Sequence, residues 1–316
     1  MKYTKAFIIK LGEETNFINN NLEKVIRLLD VLDFIFNKSS FSDDVVLKGG
    51  TAINLLHTNL KRLSVDIDLD YHGTLDREKT FLDKEKIEEE LDSYMNNEGY
   101  NLSPKSRGSV ALFSKMYQYI NASGNIDYIK IEINFMNRIS IYPVAIETVN
   151  QLGKSIKIKT LSKEELYGMK ICALIDRHKP RDLYDVDYLF HNFSDMNTKV
   201  LRQCIVFYLS LDGIYKINDS TYESIKLITE SNIKKELQPV LNKGEWFQLK
   251  ESIVFVTNKL EQLLKLNKDE ELYLFEFSKG IFKPSLLFNS ENAERADKHP
   301  MARWKIMNIK NNEASH

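Results

Sequence analysis

Over residues 64–71 the chain alternates without a break: Val65, Ile67 and Leu69 fall on one side, Asp66, Asp68 and Asp70 on the other. A period of two marks a half-buried strand, because successive side chains leave a strand on opposite faces. The stretch therefore commits the chain to a sheet with one apolar face covered and one acidic edge open. Residues 126–135 repeat the rule, with Ile129, Ile131, Ile133 and Phe135 opposed to Lys130, Glu132 and Asn134. A third strand is expected over 109–120, joined to the second by a turn near Ser123-Gly124-Asn125.

Ahead of the acidic strand, Val45-Val46-Leu47 reads as a short strand that Gly49-Gly50 end, and Thr51 opens a helical segment over 52–60. An amphipathic helix over 16–37 carries Ile18, Leu22, Val25, Ile26, Leu29, Leu32 and Ile35 at three-to-four-residue spacing, and a charged helix is expected over 77–97. Past a connector at 150–153 the pattern turns helical. Ser162 and Glu165 have the spacing of a capping box for a helix reaching about residue 177; Pro180 breaks it, and another helix begins at 181. A further helix is expected over 247–266, with a polar tail after Asn289. The expected class is α/β (α+β): a mixed sheet with flanking helices in 1–155, then a mostly helical domain in 156–316.

Composition narrows the partners. The 44 basic side chains nearly balance the 45 acidic ones, so no global field draws in a polyanion and any such site must be a local patch. The longest apolar runs are five or six residues, far short of the ~20 that a membrane helix needs. The start, Met1 to Lys5, leads into a mixed segment without the apolar stretch of a signal peptide. Cys172 and Cys204 lie in apolar helical patterns at neither zinc nor disulfide spacing. These features give the expectation of a cytoplasmic protein with reduced core thiols and no membrane segment.

The densest chemical signal is Lys48-Gly49-Gly50-Thr51 followed by Asp66-Ile67-Asp68. Glycines free the backbone at a helix start, where N–H groups and the helix dipole hold phosphate, and Thr51 adds a hydroxyl. Two carboxylates on one strand face repel each other unless a cation compensates, and their spacing suits a shared divalent ion. Glu132, on the polar face of another strand, is the candidate third carboxylate. The set fits in-line displacement at a nucleoside triphosphate (NTP) with Mg²⁺ or Mn²⁺. A solvated edge strand accounts for a lone Asp-x-Asp, but not for glycine pair, threonine, helix and acidic strand in this order. A second constellation follows on the later helices. Lys170 and Arg177 are seven apart on one helix face, and Asp182 and Asp185 share a face in the first turn of the next helix. An arginine near Asp182 is placed for a bidentate pair that fixes the turn, with Lys170 directed at a triphosphate.

Leu47-Lys48-Gly49-Gly50-Thr51-Ala52 with Arg62-Leu63-Ser64-Val65-Asp66-Ile67-Asp68-Leu69 resembles the first motif of the AbiEii/AbiGii-type nucleotidyltransferase toxins, within the DNA-polymerase-β-like nucleotidyltransferase superfamily. Thr51 stands where many members have Ser. The segment 170–186 resembles the third motif, a helical Lys, then Arg, then Arg-Asp-x-x-Asp, and Ile129-Lys130-Ile131-Glu132-Ile133 resembles the weaker second. The resemblance implies a nucleotidyltransferase-like first domain and a metal-dependent toxin of a type IV toxin–antitoxin (abortive infection) system. Its reaction would be nucleotide transfer to RNA, with tRNA favoured, and a cognate antitoxin protein would be its partner. Asp66, Asp68, Lys170, Asp182 and Asp185 become catalytic candidates. Lys48, Gly49, Gly50, Thr51, Lys170, Arg177 and Arg181 become nucleotide-binding candidates, and Asp66, Asp68 and Glu132 metal ligands. The alternatives are transfer to a protein or to a small molecule such as an antibiotic, and a non-catalytic partner-binding module of the same fold.

Overall fold

The computed structural model describes residues 2–313. The chain divides into two compact units. One comprises everything through Arg138, Val144–Thr160 and Pro239–Glu245; the other comprises Ile139–Pro143, Leu161–Gln238 and the chain from Trp246 on.

The first unit is a sheet with helices against it. Its elements are α1 (Lys5–Thr15), α2 (Asn19–Asn37), β1 (Val45–Lys48), α3 (Gly49–Ala52, continued by a π-helical turn Ile53–His57), β2 (Asp66–Tyr71), α4 (Arg77–Asn97), β3 (Asn101–Leu102), β4 (Leu112–Ile120), β5 (Ile126–Asn134), β6 (Ala145–Gln151) and β7 (Lys154–Thr160). The seven strands run in the order β3-β4-β5-β2-β1-β7-β6. Thus β2 lies inside the sheet, antiparallel to β1 and parallel to β5. The alternation explains the placement: Ile67, Leu69, Ile129, Ile131 and Ile133 are all fully buried. Helix α2 packs on β5 and β7, and its Leu22, Val25, Ile26, Leu29, Leu32 and Ile35 are at most 2% exposed. Each such side chain taken out of water stabilises the unit by about 1.5–3 kcal/mol. The charges within α2 do not float: Arg27 grips Glu23 at 2.8 Å, and Glu23 accepts the Ala122 N–H at 2.7 Å, tying the helix to the β4–β5 turn.

Two departures stand out here. The expected connector at 150–153 is the tip of a hairpin, β6–β7, whose Leu152 and Gly153 take φ of 51° and 74°. The segment before residue 16 is a helix, α1.

The second unit is built from helices, α5 (Lys163–Arg177), α6 (Pro180–Asn192) and α7 (Thr198–Asp212) among them. Ser162 caps α5 by accepting the Glu165 N–H, as its spacing predicts. The Glu165 carboxylate, however, does not return to Ser162. It is fully buried and accepts from the Ile141 and Tyr142 N–H groups and the Tyr208 hydroxyl. Cys172 and Cys204 are buried free thiols, and burial pushes both thiols up. The polar tail expected after Asn289 instead forms two helices, Ser290–Asp297 and Pro300–Glu313, seated through Ala293, Ala296, His299 and Ala302. Among the described residues no helix is long and apolar enough to cross a membrane.

Candidate functional site

Strand β1 delivers the chain, extended at Lys48, to Gly49 at φ +70°, which turns it directly into α3. That left-handed conformation disfavours residues with a Cβ, and here it is doubly reserved. A Cβ on Gly49 would meet Asp68 Oδ2 at 2.6 Å, and one on Gly50 would meet Arg62 Nη2 at 2.8 Å. The glycine turn is therefore seated on the Asp68 carboxylate on one side and on a buried arginine on the other. Helical structure begins at the glycines, two residues ahead of Thr51. The Thr51 hydroxyl is buried and turned inward, donating to the Asp66 carbonyl and lying 3.0 Å from Ser64 Oγ. It staples the turn to the acidic strand.

Register defines the polar face. Asp66 stands beside Lys130 and Asp68 beside Glu132 across the parallel β2–β5 pair, with Lys48 beside Asp68 on β1 and Ser114 beside Glu132 on β4. Neighbouring strands are about 4.8 Å apart, so these side chains form one patch. Asp66 and Asp68 are half-buried, but Asp70, third in the same alternation, is 2% exposed. Asp70 accepts from Lys48 Nζ at 2.6 Å and from Asn137 Nδ2 at 3.1 Å. The Lys48 ammonium, a nucleotide-binding candidate by sequence, is thus engaged by Asp70. Glu132 is engaged at both oxygens, by Lys130 Nζ at 2.7 Å and by the Ser114 hydroxyl at 2.8 Å. Burial opposes the Lys130 charge, but the bond to Glu132 and the fields of Glu132, Asp66 and Asp68 outweigh it and raise its pKa. Among the described residues no three His, Cys, Asp or Glu side chains converge as a ready-made metal cage. The chemistry of the donors still fits a hard divalent cation at Asp66 and Asp68, two carboxylates on one face with an ammonium already drawn to them.

The second constellation lies wholly in the helical unit. Lys170 Nζ, 6% exposed, sits 2.8 Å from Asp182 Oδ1 and 3.2 Å from Asp185 Oδ2. Arg177 takes Asp182 in a fork, Nε to Oδ2 at 2.7 Å and Nη2 to Oδ1 at 3.1 Å. Burial pushes the Asp182 carboxyl up, yet the two cations prevail and hold it at about 2. The shared helix face of Lys170 and Arg177 is realised on Asp182, so the Lys170 charge expected on a triphosphate is spent on two aspartates. Arg181 donates from Nε to the Glu236 carbonyl at 2.8 Å.

Two residues of this region had no role in the sequence reading. Arg62, buried at 2% exposure, backs the glycine turn and donates to the Leu63 carbonyl at 3.0 Å. Lys130 is the cation of the acidic face. A lysine two residues before a glutamate on a polar strand face was the available signal for the latter; nothing in the spacing marks Arg62 as buried.

None of the curated proteins compared with the chain matches it. Among solved structures it is similar to MenT4, a nucleotidyltransferase toxin from Mycobacterium tuberculosis H37Rv. The TM-score is 0.64 at 15% identity, covering 97% of this chain and 98% of that one. That likeness establishes the fold. The family model described as nucleotidyl transferase AbiEii toxin, type IV TA system, matches residues 31–266, which takes in the glycine turn, the acidic strand and the α5–α6 cluster. The chain belongs to the AbiEii nucleotidyltransferase toxin family of type IV toxin–antitoxin systems.

Proposed function

We propose that this toxin transfers a nucleotide from an NTP to an RNA acceptor, tRNA, with Mg²⁺ or Mn²⁺ held by Asp66 and Asp68. The observation that carries the reading is the pairing of those two half-buried carboxylates with a glycine turn whose Gly49 leaves no room for a side chain above Asp68. A divalent ion bound there supplies the concentrated positive charge that draws a triphosphate and an acceptor oxygen together. The first N–H groups of the helix that Gly49 opens have no partner inside that helix, so they are donors for phosphate oxygens. The Thr51 hydroxyl keeps the turn against β2, and Lys48, pinned by Asp70, stiffens β1 beneath it. In the helical unit, Lys170, Arg177, Asp182 and Asp185 act as a positioning knot that fixes the α5–α6 turn.

An RNA acceptor is supported by the exposed cations that the sheet unit offers despite a net charge of −1. Lys105 lies 4.9 Å over the half-exposed Tyr128 ring, Arg107 is exposed nearby in sequence, and Lys157 is exposed on β7. An ammonium over a ring is also a platform for stacking a base. Lys159 is paired with Asp43 and adds little. A cognate antitoxin protein and a cytoplasmic site of action complete the proposal.

The test is incubation with each labelled NTP and total tRNA, beside a protein extract and aminoglycosides, with and without a chelator and across a salt series. Label should enter tRNA, vanish with the chelator, and fall with salt at a log–log slope of about −0.7 per phosphate contact. Label in protein or in the small molecule with tRNA blank overturns the RNA reading.

A further inference from the structure

Where arginines are taken partly or wholly out of water in this chain, a carboxylate usually meets them: Arg27 meets Glu23 and Arg202 meets Glu270, each at 2.8 Å. Half-buried Arg138, in the sheet unit, meets neutral groups instead. Its Nη1 donates to the Leu75 carbonyl at 3.1 Å and to the Thr80 hydroxyl at 3.2 Å. Its Nε is buried with no partner, and among the described residues no carboxylate pairs with the guanidinium. A buried N–H without an acceptor and a desolvated charge without a counter-ion both cost free energy. The backbone holds this arrangement at a φ of 52°, which residues with a Cβ rarely adopt.

The surroundings add positive charge. Arg77 lies three residues before Thr80 on α4 and so shares its helix face; it is exposed, with its guanidinium 5.6 Å over the Phe81 ring. Burial lowers the Arg138 pKa, the fields of Tyr71 and Asp76 do not make up the loss, and the Arg77 charge deepens it. The Asp76 carboxylate is engaged as the cap of α4, accepting the Lys79 N–H at 2.8 Å. We propose that Arg138, with Arg77 on the facing helix turn, is a phosphate-binding subsite separate from the glycine turn. Nη2 makes no bond among the described residues and, unlike Nε, is not sealed from solvent, so it is the donor that an oxyanion meets. Position separates the two places. Arg138 and Leu75 follow the C-terminal ends of the parallel strands β5 and β2, whereas the glycine turn follows Lys48, the neighbour of Asp68. From Asp66 to Tyr71 the strand spans about 16 Å. The phosphate is a backbone group of an RNA or the free ion.

Equilibrium dialysis of the full chain against labelled inorganic phosphate, with chelator and at constant ionic strength, tests the subsite; circular dichroism checks folding. Arg138→Met should weaken phosphate binding about tenfold or more. Arg77→Ala should weaken it about threefold, and Arg138→Lys should retain more than Arg138→Met. A second arm measures binding of total tRNA without NTP across a salt series. A log–log slope shallower by about 0.7 in Arg138→Met assigns the subsite to an RNA phosphate; an unchanged slope beside weakened phosphate binding assigns it to the free ion. Phosphate binding and tRNA slope both unchanged in Arg138→Met overturn the subsite and leave the reading of the glycine turn and acidic strand untouched. Should Arg138→Met fail to fold, Arg77→Ala decides, and wild-type behaviour of that variant in both arms overturns the subsite equally.

Discussion

The molecule holds two clusters of opposed charges that differ in almost every physical respect. On the sheet, Asp66, Asp68 and Glu132 share one face with Lys130, and the side chains are half-exposed. In the helical unit, two carboxylates face a lysine and an arginine, both aspartates are at most 2% exposed, and the charges cancel. A partly hydrated cluster costs little to keep and stays open to a ligand. One whose carboxylates are buried against their cations is costly to break. Motif spacing alone makes the two look equally catalytic. Burial separates the cluster proposed to recruit from the cluster that holds.

The largest expected effect tests the recruiting cluster. Asp66→Asn and Asp68→Asn should each reduce nucleotide transfer to background while unfolding free energy shifts by no more than about 0.5–1 kcal/mol. Transfer assays paired with thermal melts decide it; a variant that melts far below wild type would mean that this face is structural after all. The holding cluster should behave in the opposite sense. Lys170→Ala leaves two buried aspartates short of a cation and should cost about 3–5 kcal/mol of stability. Lys179→Ala, which removes an exposed pair 3.6 Å from Glu236, should cost at most about 1 kcal/mol. Equal denaturant midpoints for the two variants would erase the distinction drawn here.

The smallest effect sharpens it through pH. Asp182 is held at about 2, below its ordinary 3.8, so its contribution is complete above pH 4 and is lost as pH falls from 4 through 2. The loss amounts to about 2 kcal/mol. Urea midpoints between pH 5 and pH 2 should therefore fall less steeply in Asp182→Asn, and a parallel decline in that variant would assign the acid slope to other carboxylates.

How far the sequence announced all this depends on how much burial each element needs. Strands β2 and β5 were legible because each places three or more apolar side chains on one side and polar ones on the other. Strand β6 was not, since Val149 is its one buried residue and an outermost strand needs no alternation to be stable there. The last two helices escaped because alanines, a histidine and a lone isoleucine, Ile306, seat them, leaving no large apolar stripe. At the candidate site, the order of glycine pair and Asp-x-Asp located the turn and the strand. The partners of Lys48, Lys130 and Lys170 stayed hidden: a lysine reads the same in sequence whether it meets phosphate, solvent or a carboxylate. Only cross-strand register and depth distinguish them.

The two margins of the sheet have unequal exposure to self-association. At one margin β3 covers only Tyr117 and Gln118, but the irregular segment after it donates main-chain N–H groups to the carbonyls of Met116, Ser114 and Leu112 from Ser103, Arg107 and Ser109. That side of β4 is closed by the chain's own backbone, leaving little for an incoming strand to pair with. At the other margin β6 is outermost, with Ile146 62% exposed beside Glu147, and a single carboxylate is the main deterrent there. Aggregation of a partly unfolded or truncated form would then begin at β6, so solubility engineering of this toxin belongs on residues 145–151.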